Sequence, residues 1–270
     1  MKAILKSMLR IAVALYIGLA ILAFIRSDAM IFLPHPSSYR DSPEILKLAS
    51  TNGNKISAVY LPNPVARYTL LISHGNAEDL GDGRDWHEDL RHAGFSVFAF
   101  DYQGYGTSQG KPTEQHAYDD ENAAYDYLIG QLHIPPERII ICGRSVGTGS
   151  AVHLAARRPA AGLILQSPFV SAFRVLTRIP ILPFDKFPNA RDIRRVHCPV
   201  LVIHGTADQV IALWQGKKIY ELANEPKHSY WVPGADHNDM EWIAGARYIE
   251  SLQKFAASLP INESSKPPQS

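Results

Sequence analysis

Two segments carry the pattern Gly-x-Ser-x-Gly, which can seat a nucleophilic serine between two small residues. They are Gly106-Thr107-Ser108-Gln109-Gly110 and Gly143-Arg144-Ser145-Val146-Gly147. With this glycine and serine content, about 0.1 chance matches are expected, so two occurrences are informative without being two proofs. The pattern supports acyl transfer only at a sharp strand-to-helix turn, which holds the serine oxygen at the positive end of the helix. Ser145 has that context. Ile139-Ile140-Ile141-Cys142 reads as a buried strand before it, and Val146–Arg158 as a helix supported by Ala151, Val152, Leu154, Ala155 and Ala156 after it. Ser108 follows Gln103-Gly104-Tyr105-Gly106 and precedes Gly110-Lys111-Pro112, which is loop on both sides. Ser145 is therefore the candidate nucleophile. The plainer reading, a helix N-cap serine, would not need the flanking glycines.

A serine hydroxyl needs a base. Of eleven histidines, His237 lies on a glycine turn just after the last strand, in Trp231-Val232-Pro233-Gly234-Ala235-Asp236-His237. The orienting carboxylate should follow another parallel strand, and Asp208 does so after Val200–His204 and Gly205. Its plainer role is an Asx turn or a helix cap. Asp192, Asp236 and Asp239 are weaker substitutes. An oxyanion between serine and base needs two N–H donors. The backbone of Val146 offers one, and Asn76, after Ser73-His74-Gly75, offers the other. His74 and His204 read as structural. No His-Glu-x-x-His or related cluster occurs, and neither a metal nor a cofactor is expected.

These side chains need a scaffold that brings strand ends to one rim. Apolar runs at Thr69–Ser73, Ser96–Phe100, Arg138–Cys142, Gly162–Gln166, Val200–His204 and Ser229–Val232 alternate with helical stretches. The latter are Arg84–His92, Glu114–Gln131, Val146–Arg158, Trp214–Ala223 and Ala246–Leu259. With an antiparallel pair at Glu44–Ser50 and Lys55–Leu61, the expectation is an eight-stranded, mostly parallel sheet with helices on both faces. Residues 168–198, rich in Pro and Phe, form a short lid-like insertion on the rim where ligands bind. The domain spans 29–261, and the polar residues 262–270 form a flexible tail.

Composition narrows the function. Twenty-seven basic and 26 acidic residues give a net charge of +1, without the basic excess of a phosphate-neutralising nucleic-acid binder. Two cysteines cannot build a disulfide framework. Residues 1–28 contain Lys2, Lys6 and Arg10, then an uncharged run from Ile11 to Ile25. Counted from Met8, eighteen residues reach ~27 Å, enough for a bilayer core. An uncleaved single-pass anchor is expected in preference to a secretory signal peptide. The only small-x-small site, Ser27-Asp28-Ala29, is poor, and apolar residues resume at Met30-Ile31-Phe32-Leu33. The basic flank puts the N-terminus in the cytoplasm and the catalytic domain outside it.

Together Ser73-His74-Gly75-Asn76-Ala77, Asp101 to Ser108, Gly143 to Gly149, His204 to Asp208 and Gly234 to His237 resemble the α/β-hydrolase superfamily. Within it the chain resembles a branch of alpha/beta hydrolase domain-containing proteins that includes protein depalmitoylases and membrane-anchored hydrolases. The resemblance implies the fold, the triad Ser145, Asp208 and His237 in that chain order, and a structural role for the Ser108 segment. Depalmitoylases of the branch carry an N-terminal cysteine cluster, whereas this chain has only Cys142 and Cys198. The expected function is a monomeric serine hydrolase that cleaves carboxylic esters or thioesters through an acyl-enzyme on Ser145. Its partners would be a small-molecule or lipid-like acyl substrate (acyl-lipid and acyl-protein among them) and the membrane, not nucleic acid. A serine peptidase of the same fold and a non-catalytic scaffold are the alternatives.

Overall fold

Five central strands are unbroken apolar runs because each is covered on both faces. A computed structural model describes residues 1–260. The strands are β1 (Leu46–Ala49), β2 (Lys55–Leu61), β3 (Thr69–Ser73), β4 (Ser96–Phe100), β5 (Ile139–Arg144), β6 (Gly162–Gln166), β7 (Val200–Gly205) and β8 (Lys227–Val232). They form one eight-stranded sheet in the order β1-β2-β4-β3-β5-β6-β7-β8. β2 pairs antiparallel with β1 and β4, and every other pairing is parallel. The expected mostly parallel sheet is thus the sheet observed.

Around it lie α1 (Lys2–Ile31), α2 (Arg84–His92), α3 (Glu114–Gly130), α4 (Gly147–Ala155), α5 (Asn189–Asp192), α6 (Leu213–Leu222), α7 (Met240–Ala244) and α8 (Ala246–Ser258). The two-residue period of a strand sends alternate side chains to opposite cores. Leu71, Ile139, Ile141, Val200 and Val202 join the core under α3, α4 and α6. Leu70, Ile72, Ile140, Cys142, Leu201 and Ile203 join the core under α2 and α8. A one-residue slip of register would exchange the two cores.

Several boundaries differ from expectation. α5, α7 and the short 3-10 turns at Ala172–Val175 and Ile193–Arg195 carry no periodic signal, since a single turn is too short to show one. β8 begins at Lys227, so His228 lies inside the strand rather than before it. The proposed anchor boundary at residue 28 falls within a helix. α1 continues to Ile31 because Asp28, its polar interruption, is held by Lys186 Nζ at 2.5 Å and by the Glu114 N–H at 3.2 Å. Phe32 then enters the core, edge-on to Tyr102, Tyr105 and Phe187. The expected tail at 262–270 and the domain end at 261 lie outside the described residues.

Candidate active site

β5 delivers Ser145 to the carboxyl rim of the sheet, and the chain turns there into α4. Ser145 has φ 51°, a left-handed conformation that costs a non-glycine residue about 1–2 kcal/mol. Its N–H donates to Gln166 O at 2.9 Å, and its carbonyl accepts from the N–H and hydroxyl of Thr148. The glycines on either side are required by close approach. A Cβ on Gly147 would press into the carbonyl oxygen of Ser73, and one on Gly143 would meet the Ala151 side chain at 2.7 Å.

His237 follows β8 on a turn made by Gly234 at φ 75°. Its Nε2 lies 3.0 Å from Ser145 Oγ and its Nδ1 lies 2.8 Å from Asp208 Oδ2. An ionised Asp208 can only accept, so Nδ1 carries the hydrogen and Nε2 is left to accept the Ser145 proton. The Asp208 side chain is fully buried. Burial alone would raise its pKa. The hydrogen bond and charge of His237, then the Ile211 N–H, outweigh burial and hold the carboxyl below the usual carboxylate range. Further donors are the Val210 N–H at 2.9 Å, the Ile211 N–H at 2.7 Å and the Ser167 hydroxyl at 3.0 Å. The structure thus brings Ser145, His237 and Asp208 into one chain of hydrogen bonds.

The substitutes for Asp208 are engaged elsewhere. Asp236 accepts from the backbone of Gln209 and His237, Asp239 accepts from Asp236 N–H, and Asp192 pairs with Arg157 and Arg191. His204 donates through Nε2 to Ile211 O at 2.7 Å beneath Asp208, and burial lowers its pKa. His35, on the segment after α1, and Asp79 and Asp82, on the loop after β3, have ligand atoms within 4.8 Å of one another. The Asp79 carboxylate there already accepts from the N–H groups of Ser38, Gly81 and Asp82, so the cluster reads as a hydrogen-bonded turn.

Asn76 and Val146 are brought to the same rim. Among the described residues neither backbone N–H has an acceptor, so both are free to take a developing oxyanion. The loop carrying Asn76 passes so close that a Cβ on Gly75 would lie 3.6 Å from Ser145 Cβ. Sequence reasoning missed how that loop is held. Glu78 accepts from the Gly75 N–H through one oxygen and from Arg144 Nη1, at 3.2 Å, through the other. Burial would lower the Arg144 pKa, but the charges of Glu78 and Glu241 raise it, so the guanidinium stays charged. The Asn76 side chain accepts from Leu33 N–H at 2.8 Å and donates to Ile31 O at 2.7 Å, which ties the end of α1 to the same loop.

A cavity of about 740 Å³ opens over Ser145 and His237. Phe169, Phe173 and Leu176 of the insertion form one wall, and Met30, Ile31 and Leu33 form another. The second wall was missed because docking of a distant helix leaves no local pattern. Its only signal was the return of apolar residues at Met30 to Leu33.

A family model described as serine aminopeptidase, S33, matches residues 64–183. The chain is 40% identical over 232 residues to human alpha/beta hydrolase domain-containing protein 17B, covering 84% of this chain and 80% of the relative. It is 42% identical over 206 residues to alpha/beta hydrolase domain-containing protein aho-3 of Caenorhabditis elegans, covering 75% and 61%. Among solved structures, an esterase of Pyrococcus furiosus superposes with a TM-score of 0.72 at 16% identity, over 85% of this chain and 98% of that one. A monoacylglycerol lipase of Paleococcus ferrophilus gives a TM-score of 0.60 at 21% identity, over 75% and 98%. At such identities these two show the fold alone.

Proposed function

The chain belongs to the alpha/beta hydrolase domain-containing protein family and is a hydrolase, and we propose that it cleaves carboxylic esters or thioesters through an acyl-enzyme on Ser145. The observation that carries this reading is the pair of contacts from His237, 3.0 Å to Ser145 Oγ and 2.8 Å to Asp208, beside an apolar cavity. Ser145 Oγ attacks the substrate carbonyl carbon while His237 Nε2 takes its proton. The carbonyl oxygen becomes an oxyanion held by the N–H groups of Asn76 and Val146. Asp208 keeps the imidazole in register and stabilises its positive charge. The tetrahedral adduct collapses, the bond to the alcohol or thiol breaks, and His237 returns the proton to that leaving group. Water then gives a proton to His237 as it attacks the acyl-serine carbonyl, the bond to Ser145 Oγ breaks, His237 returns the proton to Oγ, and the acid leaves.

The lining favours an acyl chain over a free amino terminus. An aminopeptidase needs a carboxylate free to hold the substrate ammonium. Glu78 is the only carboxylate among the described residues lining the cavity, and both its oxygens are engaged. We further propose that α1 is an uncleaved anchor with the hydrolase domain on the extracytoplasmic side. The anchor is supported by a mean hydropathy of 2.4 over its best eighteen-residue window, only 6% of which is buried, and the side by Lys2, Lys6 and Arg10 at its start. Cleavage after Ala29 would also discard Asp28 and its contacts to Lys186 and Glu114.

The test is a panel of p-nitrophenyl esters and acyl thioesters of increasing chain length, run beside aminoacyl anilides. Turnover of the acyl substrates, rising with chain length, is expected. Preference for the anilides would replace the reading with a peptidase. Absence of turnover, with no fluorophosphonate labelling of Ser145, would leave a non-catalytic scaffold.

A further inference from the structure

The last turn of a helix leaves carbonyls that have no partner inside the helix. α1 ends at Ile31, whose carbonyl is one of these. Its partner comes from the loop after β3, where Asn76 Nδ2 donates to Ile31 O at 2.7 Å. Two residues on, Leu33 N–H donates to Asn76 Oδ1 at 2.8 Å. A carboxamide carries a donor and an acceptor side by side, so one side chain reads both backbone groups. Between them Phe32 is buried in the core, which fixes the end of α1 against the domain.

The same Oδ1 accepts twice more, from the Tyr105 hydroxyl at 2.6 Å and from Ala77 N–H at 3.0 Å. The Tyr105 hydroxyl closes a ring by accepting from Leu33 N–H at 3.0 Å. Four hydrogen bonds thus fix the Asn76 side chain, and two of them come from Ile31 and Leu33. Ala77, the next residue, is left-handed at φ 55°, which a residue with a Cβ keeps only where its surroundings hold it. The loop is therefore shaped by these contacts and not by its own preference. The main-chain N–H of Asn76 is the second oxyanion donor. Misplacement of such a group by about 1 Å can cost a hundredfold in rate.

We propose that Ile31 and Leu33, acting through the Asn76 side chain, are positioning residues for the oxyanion, so that the seated end of α1 is a working part of the active site and not only a tether. This rests on the acyl-hydrolase reading above, which places an oxyanion beside Asn76. Side chain and backbone then have separate duties in the segment from Met30 to Leu33. The side chains of Met30, Ile31 and Leu33 wall the cavity and act on substrate binding. The backbone of Ile31 and Leu33 acts on the chemical step.

The full chain is assayed in phosphatidylcholine vesicles on a p-nitrophenyl ester. Rates are counted per site labelled exhaustively by a fluorophosphonate, so only folded enzyme enters them. Leu33→Pro deletes the N–H, and Phe32 before it is already extended at φ −104° and ψ 124°, as a residue before proline prefers. It should lower kcat roughly a hundredfold with KM within about twofold. Leu33→Ala keeps the N–H and trims the cavity wall, so it should raise KM and spare kcat. Asn76→Ala should lower kcat at least as far as Leu33→Pro. The double variant should be no slower than Asn76→Ala, because both changes break one path. A trifluoromethyl ketone, whose carbonyl becomes an oxyanion when Ser145 Oγ adds to it, should bind Leu33→Pro roughly a hundredfold more weakly. Wild-type kcat in Leu33→Pro would overturn the proposal. So would a double variant whose losses multiply, or ketone affinity that holds while kcat falls. If Leu33→Pro does not fold, Asn76→Asp decides. It keeps an acceptor for Leu33 and sets a carboxylate against Ile31 O, and an unchanged kcat there would overturn the proposal. If wild type turns over aminoacyl anilides and no acyl substrate, the acyl-hydrolase reading fails, and the same kcat comparison on the anilides judges the positioning by itself. A wild type neither labelled nor active would end both.

Discussion

The segments around Ser108 and Ser145 share five-residue spelling and share little else. Both depend on their glycines. A Cβ on Gly106 would run into the Asp101 carboxylate and the Tyr39 ring, as one on Gly147 would run into Ser73 O. Glycine spacing therefore reports tight packing in both places and distinguishes neither. The difference lies in what each serine oxygen meets. Ser108 Oγ donates to Asp101 O at 3.0 Å and accepts from the Ser57 N–H at 2.8 Å, so it is consumed in joining β2 to the loop after β4. Ser145 Oγ, held at a positive φ, has the His237 ring nitrogen as its one hydrogen-bond partner among the described residues. A strained turn that leaves a hydroxyl facing a base is a reactive site, and a relaxed one that spends it on backbone is a clasp.

The comparison breaks most visibly at the serines. Ser145→Ala should abolish fluorophosphonate labelling and lower ester turnover by about 10⁶-fold, with Ser108→Ala labelling like wild type. Equal labelling of wild type and Ser145→Ala would reverse the roles. Next in size is the carboxylate behind the base. Asp208→Asn should cost about 10⁴-fold in kcat, because an amide can donate to Nδ1 and trap the tautomer whose Nε2 hydrogen faces the serine. A loss under tenfold, read from steady-state rates with the fold checked by circular dichroism, would remove Asp208 from the triad.

Much of this contrast was readable in the linear chain. β3 to β7 stand out as continuous apolar runs because both their faces are covered, and the loops after β7 and β8 announce themselves by a glycine before Asp208 and His237. Rejecting Ser108 required only the loop residues on both sides of it. Features made by residues that meet only in space were invisible. The Glu78–Arg144 pair, the Asn76 side chain reaching Ile31 and Leu33, and the docking of Phe32 join points that share no period. The apolar run at Ile11–Ile25 looked the same whether or not its end would wall a cavity, since hydropathy records what a segment avoids and not what it touches.

A smaller effect should follow from loosening the brace that only the Ser145 turn possesses. Arg144 holds Glu78, and Glu78 holds the Gly75 N–H beside the Asn76 donor. Glu78→Gln should lower kcat about tenfold, near 1.4 kcal/mol, with KM nearly unchanged, because the oxyanion forms only after substrate is bound. A rise in KM alone would make Glu78 a substrate contact instead.

The carboxylates behind the two serines should also respond oppositely to pH. Asp208 is held below its ordinary value, so its share of stability is present at neutral pH and fades as pH falls. Asp101 is pushed up to about 6, first by burial, against the opposing charge of His74 and the Tyr39 hydrogen bond. Its share is complete below 3.8 and is lost as pH rises through about 6. Asp101→Asn should flatten that decline in a Tm series from pH 4 to 7. A decline as steep as in wild type would mean that Asp101 titrates normally.

The faintest expected change tests the clasp itself. Ser108→Ala removes one hydroxyl that serves two backbone groups, the Ser57 N–H and Asp101 O. Ser57 is fully buried, so its N–H is left without an acceptor in a place that water reaches poorly. The loss should be about 1–3 kcal/mol in urea unfolding with an unchanged m-value, while kcat/KM stays at the wild-type level. Ser108→Thr separates hydroxyl from shape, because it keeps the oxygen and adds a methyl group. Stability restored in Thr but not in Ala places the effect on the hydrogen bonds. A fall in kcat/KM in both variants, at full stability, would show that the loop after β4 reaches the chemistry and would undo the division between the two turns.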